Sequence, residues 1–343
     1  MRISQVMLAK GFGGAERSFV DIAICLAQAG HAVQAICQPA FSGLAALAAE
    51  PRIRIEFVRV LGTWDPFARR RLRALLAGFG PEVVHAHLAR AAHLAGHAAH
   101  DLDLPVLVKT HNYVDLRYYR AVDRFVATTR DQADWLRSGG IGADRIDIIP
   151  NFSRLLPREP RVRSAGPVRL LAYGRFVHKK GFDLLLEALA RQRGDDWHLT
   201  LGGDGPERGA LQACIARLEL GARVGMCGWI DDVGAVLAQH DVFVLPSRDE
   251  PFGIAVLEAM AAGVPIVATR TQGPREILDA DTALLAEPGD GADLAAALER
   301  ALGDAAGCLA RAREAQRRYR GSYSAESVVP RYLAAYDRLR NCP

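Results

Sequence analysis

The chain predicts an α/β protein with two Rossmann-like domains, and three observations carry that prediction. Two series of short apolar runs alternate with helical patterns along the sequence. A run rich in proline, arginine and glycine, residues 153–167, separates the series and has no sustained period. At 343 residues the chain is also long enough for about two cores. Strands interleaved with helices give parallel sheets covered on both faces. The expected boundaries are 1–157 for the first domain and 158–325 for the second, with 326–343 as a helix crossing back onto the first.

The first series runs ISQVML, AVQAIC, EVVHAH, PVLVKTH, RFVATT and IDIIPN. After the first strand, Gly13 and Gly14 open a helix with Phe19, Ile22, Ala23 and Leu26 on one face. Their amides can approach a phosphate or an acceptor. Gly11, Gly13 and Gly14 do not complete GxGxxG, which argues against a nicotinamide enzyme. Glu16, one turn in, suits either a substrate contact or the helix dipole. Arg69, Arg70, Arg71 and Arg73 precede Leu75, Leu76 and Phe79, a pattern that fits a basic amphipathic helix on anionic lipid and fits a solvated helix face equally well. His87 ends a strand and is expected on the acceptor side. His111 follows PVLVKT and should emerge at the carboxyl end of the sheet, as should Asn151 in IPNF.

The second series runs VRLLAYG, HLTLGG, RVGMCG, DVFVLPS, PIVAT and ALLAE. Arg175 and Lys180 flank the loop after its first strand, before a helix beginning near Phe182. Two cations at a helix N-terminus suit a diphosphate and would neutralise charge growing on a leaving phosphate. The turn from Gly203 to Pro206 closes the second strand and reads as structural. The segment EPFGIAVLEAMAAGVPIVAT places Glu250 in a loop, Gly253 and Ile254 at a helix entrance and Glu258 on the helix, which Gly263 ends. An anion site flanked by two carboxylates that accept hydrogen bonds from sugar hydroxyls implies a nucleotide sugar. The last run, SAESVVPRYLAAYDRLR, has a cap at Ser324 and an apolar stripe interrupted by Pro330.

The glutamate pair, the following AxxxGVPIVAT, the upstream GRFVHKKGFDLLLEALA and GGDGPE, and Gly13-Gly14-Ala15-Glu16 together resemble retaining glycosyltransferase family 4 over nearly the whole chain. That resemblance implies the GT-B fold, with two Rossmann-like domains facing each other across a cleft and the last helix kinking. It implies transfer of a hexose with retention and without metal. Arg175 and Lys180 would then stabilise the departing diphosphate, Glu258 the ribose, and Glu250 with the amides of Gly253 and Ile254 the hexose. Trp229 and Ile230 would grip the base through backbone groups, so UDP- and GDP-sugars both stay open. Gly14 and Asn151 would stand on the donor side, His111 would bond the donor hexose, and Gly13, Glu16 and His87 would face the acceptor. Phe152 stands where the family has glycine after the asparagine.

Composition bounds the rest. Half the residues are hydrophobic and the net charge is +4, nearly all the basic charge being arginine because lysine occurs only at 10, 109, 179 and 180. No basic-aromatic module points to nucleic acid. The opening run MRISQVML lacks a signal-peptide pattern, so a cytoplasmic protein is expected, peripheral on the membrane if the arginine cluster touches lipid. Six cysteines show no CxxC spacing and are expected reduced and mostly buried. Asp101-Leu102-Asp103 and Asp279-Ala280-Asp281 read as polar turns. His93 and His97 lack the glutamate of HExxH, so no metal is expected. The acceptor expected from the class and the basic patch is lipopolysaccharide core or another lipid-linked or envelope glycan. A small-molecule glycosyltransferase, a sugar-nucleotide epimerase of the same fold and a non-catalytic sugar-nucleotide binder are the alternatives.

Overall fold

The computed structural model describes residues 1–11, 13–163, 165–194 and 196–341, and the chain divides into two compact units, 1–152 with 325–343, and 153–324. Among the described residues, seven strands of the first unit form one parallel sheet: β1 (Arg2–Met7), β2 (Ala32–Cys37), β3 (Ile53–Phe57), β4 (Val83–His87), β5 (Val106–Lys109), β6 (Arg124–Ala127) and β7 (Ile146–Ile148). Their order is β3-β2-β1-β4-β5-β6-β7, so the sheet reverses direction of growth between β1 and β4. The central strands β4 and β5 are buried along their whole length, as expected for a sheet covered on both faces.

The second unit repeats the plan with β8 (Val168–Tyr173), β9 (Trp197–Gly202), β10 (Val224–Gly228), β11 (Val242–Leu245), β12 (Ile266–Thr269) and β13 (Leu284–Ala286). Its order, β10-β9-β8-β11-β12-β13, places the switch point between β8 and β11. In open α/β sheets the crevice at the carboxyl ends of the two strands flanking such a point is where ligands bind.

Every strand expected from the sequence is present, and β3 is an addition. It was missed because IRIEF carries charge at alternate positions and lies at the sheet edge, where only Ile53 is buried. The run 153–167 is part of the second unit. The Tyr319 hydroxyl donates to the carbonyls of Ser153 and Leu155, and the Arg158 amide donates to Ala261 at 2.9 Å. Ser164 in that run lies outside the described residues. The last helix, Ala325–Arg340, belongs to the first unit and runs through Pro330, which removes one backbone donor without ending it. Val328, Tyr332, Tyr336 and Leu339, at helical spacing, join Ile3, Phe19 and Val83 in one core. Burying a large apolar side chain stabilises by about 1.5–3 kcal/mol, so this stripe holds the helix.

Two further expectations change. Leu75, Leu76 and Phe79 are buried, so the apolar face of the helix Pro66–Phe79 is spent on the core and is not offered to lipid. Of the described cysteines only Cys37 and Cys308 are buried, Cys25 and Cys214 are partly covered and Cys227 is exposed; all five are free thiols, and Cys342 lies outside the described residues. No helix among the described residues is long and apolar enough to cross a membrane.

Candidate active site

In the second unit the predicted residues gather at the switch point. Arg175 follows the end of β8 and is exposed, with no ion pair among the described residues. Lys180 closes a single 3-10 turn, His178–Lys180, and its ammonium contacts Glu250 Oε2. The two side chains are mostly covered, at 21% and 12% exposure, so the pair is shielded from screening better than a surface salt bridge. The Lys180 stem runs beside Gly174, whose position for a β-carbon lies 3.8 Å from Lys180 Cε. Gly181 makes the approach possible. It adopts φ 65°, and a β-carbon there would meet the Pro246 carbonyl oxygen at 2.1 Å.

Glu250 is held from several directions. Arg248, two residues earlier, makes a fork with both Asp183 oxygens at 2.7 Å, fastening the loop to the helix Phe182–Ala190. Burial works to raise the Asp183 pKa, but the Arg248 guanidinium overrides it and leaves the carboxyl below its usual range. The amides of Arg248 and Asp249 bond the Lys179 carbonyl, and the Gly273 amide bonds the Glu250 carbonyl at 3.0 Å. Gly253, at φ 93°, caps the helix Ile254–Ala262, whose first amides carry the partial positive charge of the helix end.

Glu258 sits on that helix at 1% exposure, and its Oε2 accepts a hydrogen bond from the Tyr173 hydroxyl at 2.6 Å. Ile230 lies against the end of β9, where a β-carbon at Gly202 would meet its Cδ1 at 2.2 Å. The neighbouring Trp229 is 54% exposed. Tyr173, Asp183 and Arg248 are site residues that the sequence reading missed. Tyr173 ends its strand directly before Gly174-Arg175, the one local sign available, whereas the partners of Asp183 and Arg248 are far apart in sequence.

The first unit holds a sealed polar network behind its own switch point. His87 and His85 are fully buried at the end of β4, and His111, at φ 61° past the end of β5, is 8% exposed. His87 Nδ1 lies 3.1 Å from His111 Nε2, and His87 Nε2 lies 2.8 Å from Gln5 Oε1. The Gln5 amide nitrogen is 3.1 Å from both His85 Nδ1 and the Tyr336 hydroxyl. Burial, then the neighbouring imidazoles and Lys109, push the His87 pKa well below the ordinary value, and burial followed by Lys109 does the same to His111. His87, expected to line the acceptor side, therefore lies inside the fold as a neutral imidazole.

Lys109 is fully buried too, and donates to Tyr332 at 2.6 Å and to Ser18 at 3.1 Å. Burial drives its pKa well down against the opposing pull of Asp21. Ser18 in turn donates to Asn151 Oδ1 at 3.0 Å. Asn151 is thus positioned by a lysine that the sequence offered no reason to single out. Glu16 caps its own helix, its Oε2 accepting from the Gly13 amide at 2.9 Å, while Gly14 is the first residue of that helix. Among the described residues no group of histidine, cysteine or acidic side chains could hold a metal ion.

Residues 12–153 match the signature described as Glycosyltransferase Family 4, and residues 167–304 match that described as Glycosyl transferases group 1. The lipopolysaccharide core biosynthesis glycosyltransferase LpsD of Rhizobium meliloti is 31% identical over 338 residues, 95% of this chain and 95% of LpsD. LpsE of the same organism is 32% identical over 332 residues, 94% of this chain and 95% of LpsE. Among solved structures, Anabaena HepE in complex with UDP aligns with a TM-score of 0.87 at 21% identity, over 98% of this chain and 100% of HepE. With the second sheet and all of the first but β1 inside the matched stretches, and relatives at this identity along nearly its full length, the chain is a glycosyltransferase of the GT-B fold and belongs to the group 1, family 4 glycosyl transferases.

Proposed function

We propose that this enzyme moves a hexose from a nucleotide diphosphate sugar to a hydroxyl of a lipopolysaccharide core or related envelope glycan, with retention and without a metal ion. The observation that carries the donor half is the convergence of Arg175, Lys180, Glu250 and the helix end at Gly253 on the switch point of the second sheet. Two cations supply the charge that a departing diphosphate needs. Glu250, which the Lys180 ammonium holds, is assigned with the amides of Gly253 and Ile254 to the hexose, and Glu258 with Tyr173 to the ribose. His111 in the first unit is assigned a hydrogen bond with the donor hexose. No carboxylate here is placed as a free nucleophile, so front-face displacement driven by leaving-group stabilisation is the mechanism proposed.

The acceptor half is supported by LpsD and LpsE, both named for lipopolysaccharide core biosynthesis. A membrane-associated acceptor is further supported by the surface around the helix Pro66–Phe79. Leu61, Trp64 and Phe67 are 96%, 67% and 81% exposed, next to the exposed Arg70, Arg71 and Arg73. Arg71 lies 4.0 Å from Glu56 and stays largely exposed, and apolar side chains beside exposed cations suit an anionic lipid surface at the inner face of the membrane. Arg69 contributes less, because it forks onto Asp101 at 2.7 and 2.8 Å.

A thermal-shift screen of UDP- and GDP-sugars followed by turnover with core-glycan acceptor tests this reading. Stabilisation by one donor and transfer to the acceptor are expected, with UDP-glucose, the ligand named for a HepE complex, the first to try. Isomerisation of the donor's sugar with no acceptor present would favour an epimerase, and binding without product a silent binder.

A further inference from the structure

The hydrogen-bond chain that runs from Gln5 to His111 fixes where one proton sits. Gln5 Oε1 can only accept, so His87 Nε2, 2.8 Å away, must carry the hydrogen. His87 is neutral, which leaves its Nδ1 as an acceptor, and that atom faces His111 Nε2 at 3.1 Å. His111 Nε2 therefore carries the hydrogen of its own ring, and His111 Nδ1 is bare. Among the described residues no group bonds His111 Nδ1, and unlike His85 Nε2 it is not one of the sealed atoms lacking a partner. On the other side the Gln5 nitrogen faces the Tyr336 hydroxyl and His85 Nδ1, both at 3.1 Å, and can donate to either. Tyr336 also lies 2.7 Å from His85 Nδ1, so the tyrosine on the last helix closes the chain.

We propose that Gln5 and His87 are positioning residues that hold His111 in its Nε2–H tautomer, so that Nδ1 stands as a hydrogen-bond acceptor for a hydroxyl of the donor hexose. The relay rests on the assignment of His111 to the hexose made above. A sugar hydroxyl donates to such a nitrogen, and the ring cannot turn to offer an N–H instead without breaking its bond to His87. The last helix thereby acts on the donor contact through Tyr336, although Tyr336 is itself fully buried.

Long-range proton–nitrogen correlation spectra of enzyme labelled with nitrogen-15 histidine decide the relay, with the His111 signals identified by their loss in His111→Gln. The free wild-type enzyme should show His111 protonated on Nε2 alone. Gln5→Leu should turn that into a mixture of tautomers, and Gln5→Glu, which keeps an acceptor for His87, should restore the single form. A wild-type His111 protonated on Nδ1, or a tautomer unmoved by Gln5→Leu, overturns the proposal, and the wild-type spectrum suffices if Gln5→Leu does not fold. In hydrolysis of UDP-glucose, Gln5→Leu should lower kcat/KM about tenfold while inhibition by UDP, which has no hexose, stays the same. If the tautomer is as expected but His111→Gln leaves kcat/KM unchanged, the assignment of His111 to the hexose fails and the relay stands as structure only.

Discussion

Tyr173 donates its hydroxyl hydrogen to Glu258 Oε2 at 2.6 Å, tying the end of β8 to the helix that follows β11 across the switch point of the second sheet. The bond spans 85 positions of sequence and fixes one oxygen of a carboxylate that is 1% exposed. A buried carboxylate with one oxygen held is a rigid acceptor, and rigidity is what makes a single hydrogen bond to a ribose useful.

Changing Glu258→Gln should weaken donor binding by roughly 1–3 kcal/mol, the value of a hydrogen bond to a charged acceptor, while the fold survives. Tyr173→Phe should weaken binding less, because the carboxylate remains but is no longer held in place. Calorimetric titration with the donor nucleotide checks both. Unchanged affinity in Glu258→Gln would remove Glu258 from the site.

In the proposed mechanism Arg175 and Lys180 act on charge that grows during the reaction. Replacing both by alanine should lower kcat by on the order of a hundredfold or more with little change in melting temperature. In that mechanism these cations take the place a metal would have, so wild-type turnover should not change when EDTA is added. Full activity in the double variant, or wild-type activity lost with the chelator, contradicts the mechanism.

Much of this arrangement was legible in the sequence, and the reasons differ by element. The buried central strands announce themselves as apolar runs, and Gly253 with Glu258 marks a helix entrance by spacing alone. Edge strand β3 was invisible because its solvent face is charged. Partnerships such as Arg248 with Asp183 or Asn151 with Ser18 join residues that only the fold brings together, so no local pattern encodes them. The exposed Leu61, Trp64 and Phe67 escaped notice for the opposite reason, since apolar side chains beside a helix start are ordinarily assumed to be inside.

Acid should destabilise the protein well before its carboxylates titrate. Burial holds His85, His87 and His111 far below the ordinary histidine pKa of 6.5 in the folded state. The unfolded chain binds more protons than the folded one below that value, so stability is full above it and is lost as pH falls through it. Each such histidine contributes a slope of up to about 1.4 kcal/mol per pH unit. Asp183 and Asp241, whose folded pKa values are depressed, lose their contribution only at lower pH. Urea midpoints should therefore fall between pH 7 and 5, and His85→Gln should reduce that slope by about one proton. A midpoint that rises on acidification over this range would show that these histidines are not buried neutral.

Membrane docking makes a prediction that separates its two ingredients. Attraction of Arg70, Arg71 and Arg73 to anionic lipid is worth about 1 kcal/mol per residue near the surface and is screened over about 8 Å at physiological ionic strength. Sedimentation with anionic vesicles should fall as salt rises, and neutral vesicles should bind poorly. Converting the three arginines to glutamine should remove the salt dependence together with most of the binding. Converting Leu61, Trp64 and Phe67 to serine should lower binding at every salt concentration, because insertion of apolar surface is not screened. Leu75, Leu76 and Phe79 are left intact in both variants, since they belong to the core. Donor affinity should be the same in both, because the residues assigned to the diphosphate and ribose lie in the second unit. If both variants sediment like the wild type, the arginines are a solvated helix face and a soluble acceptor becomes the better reading.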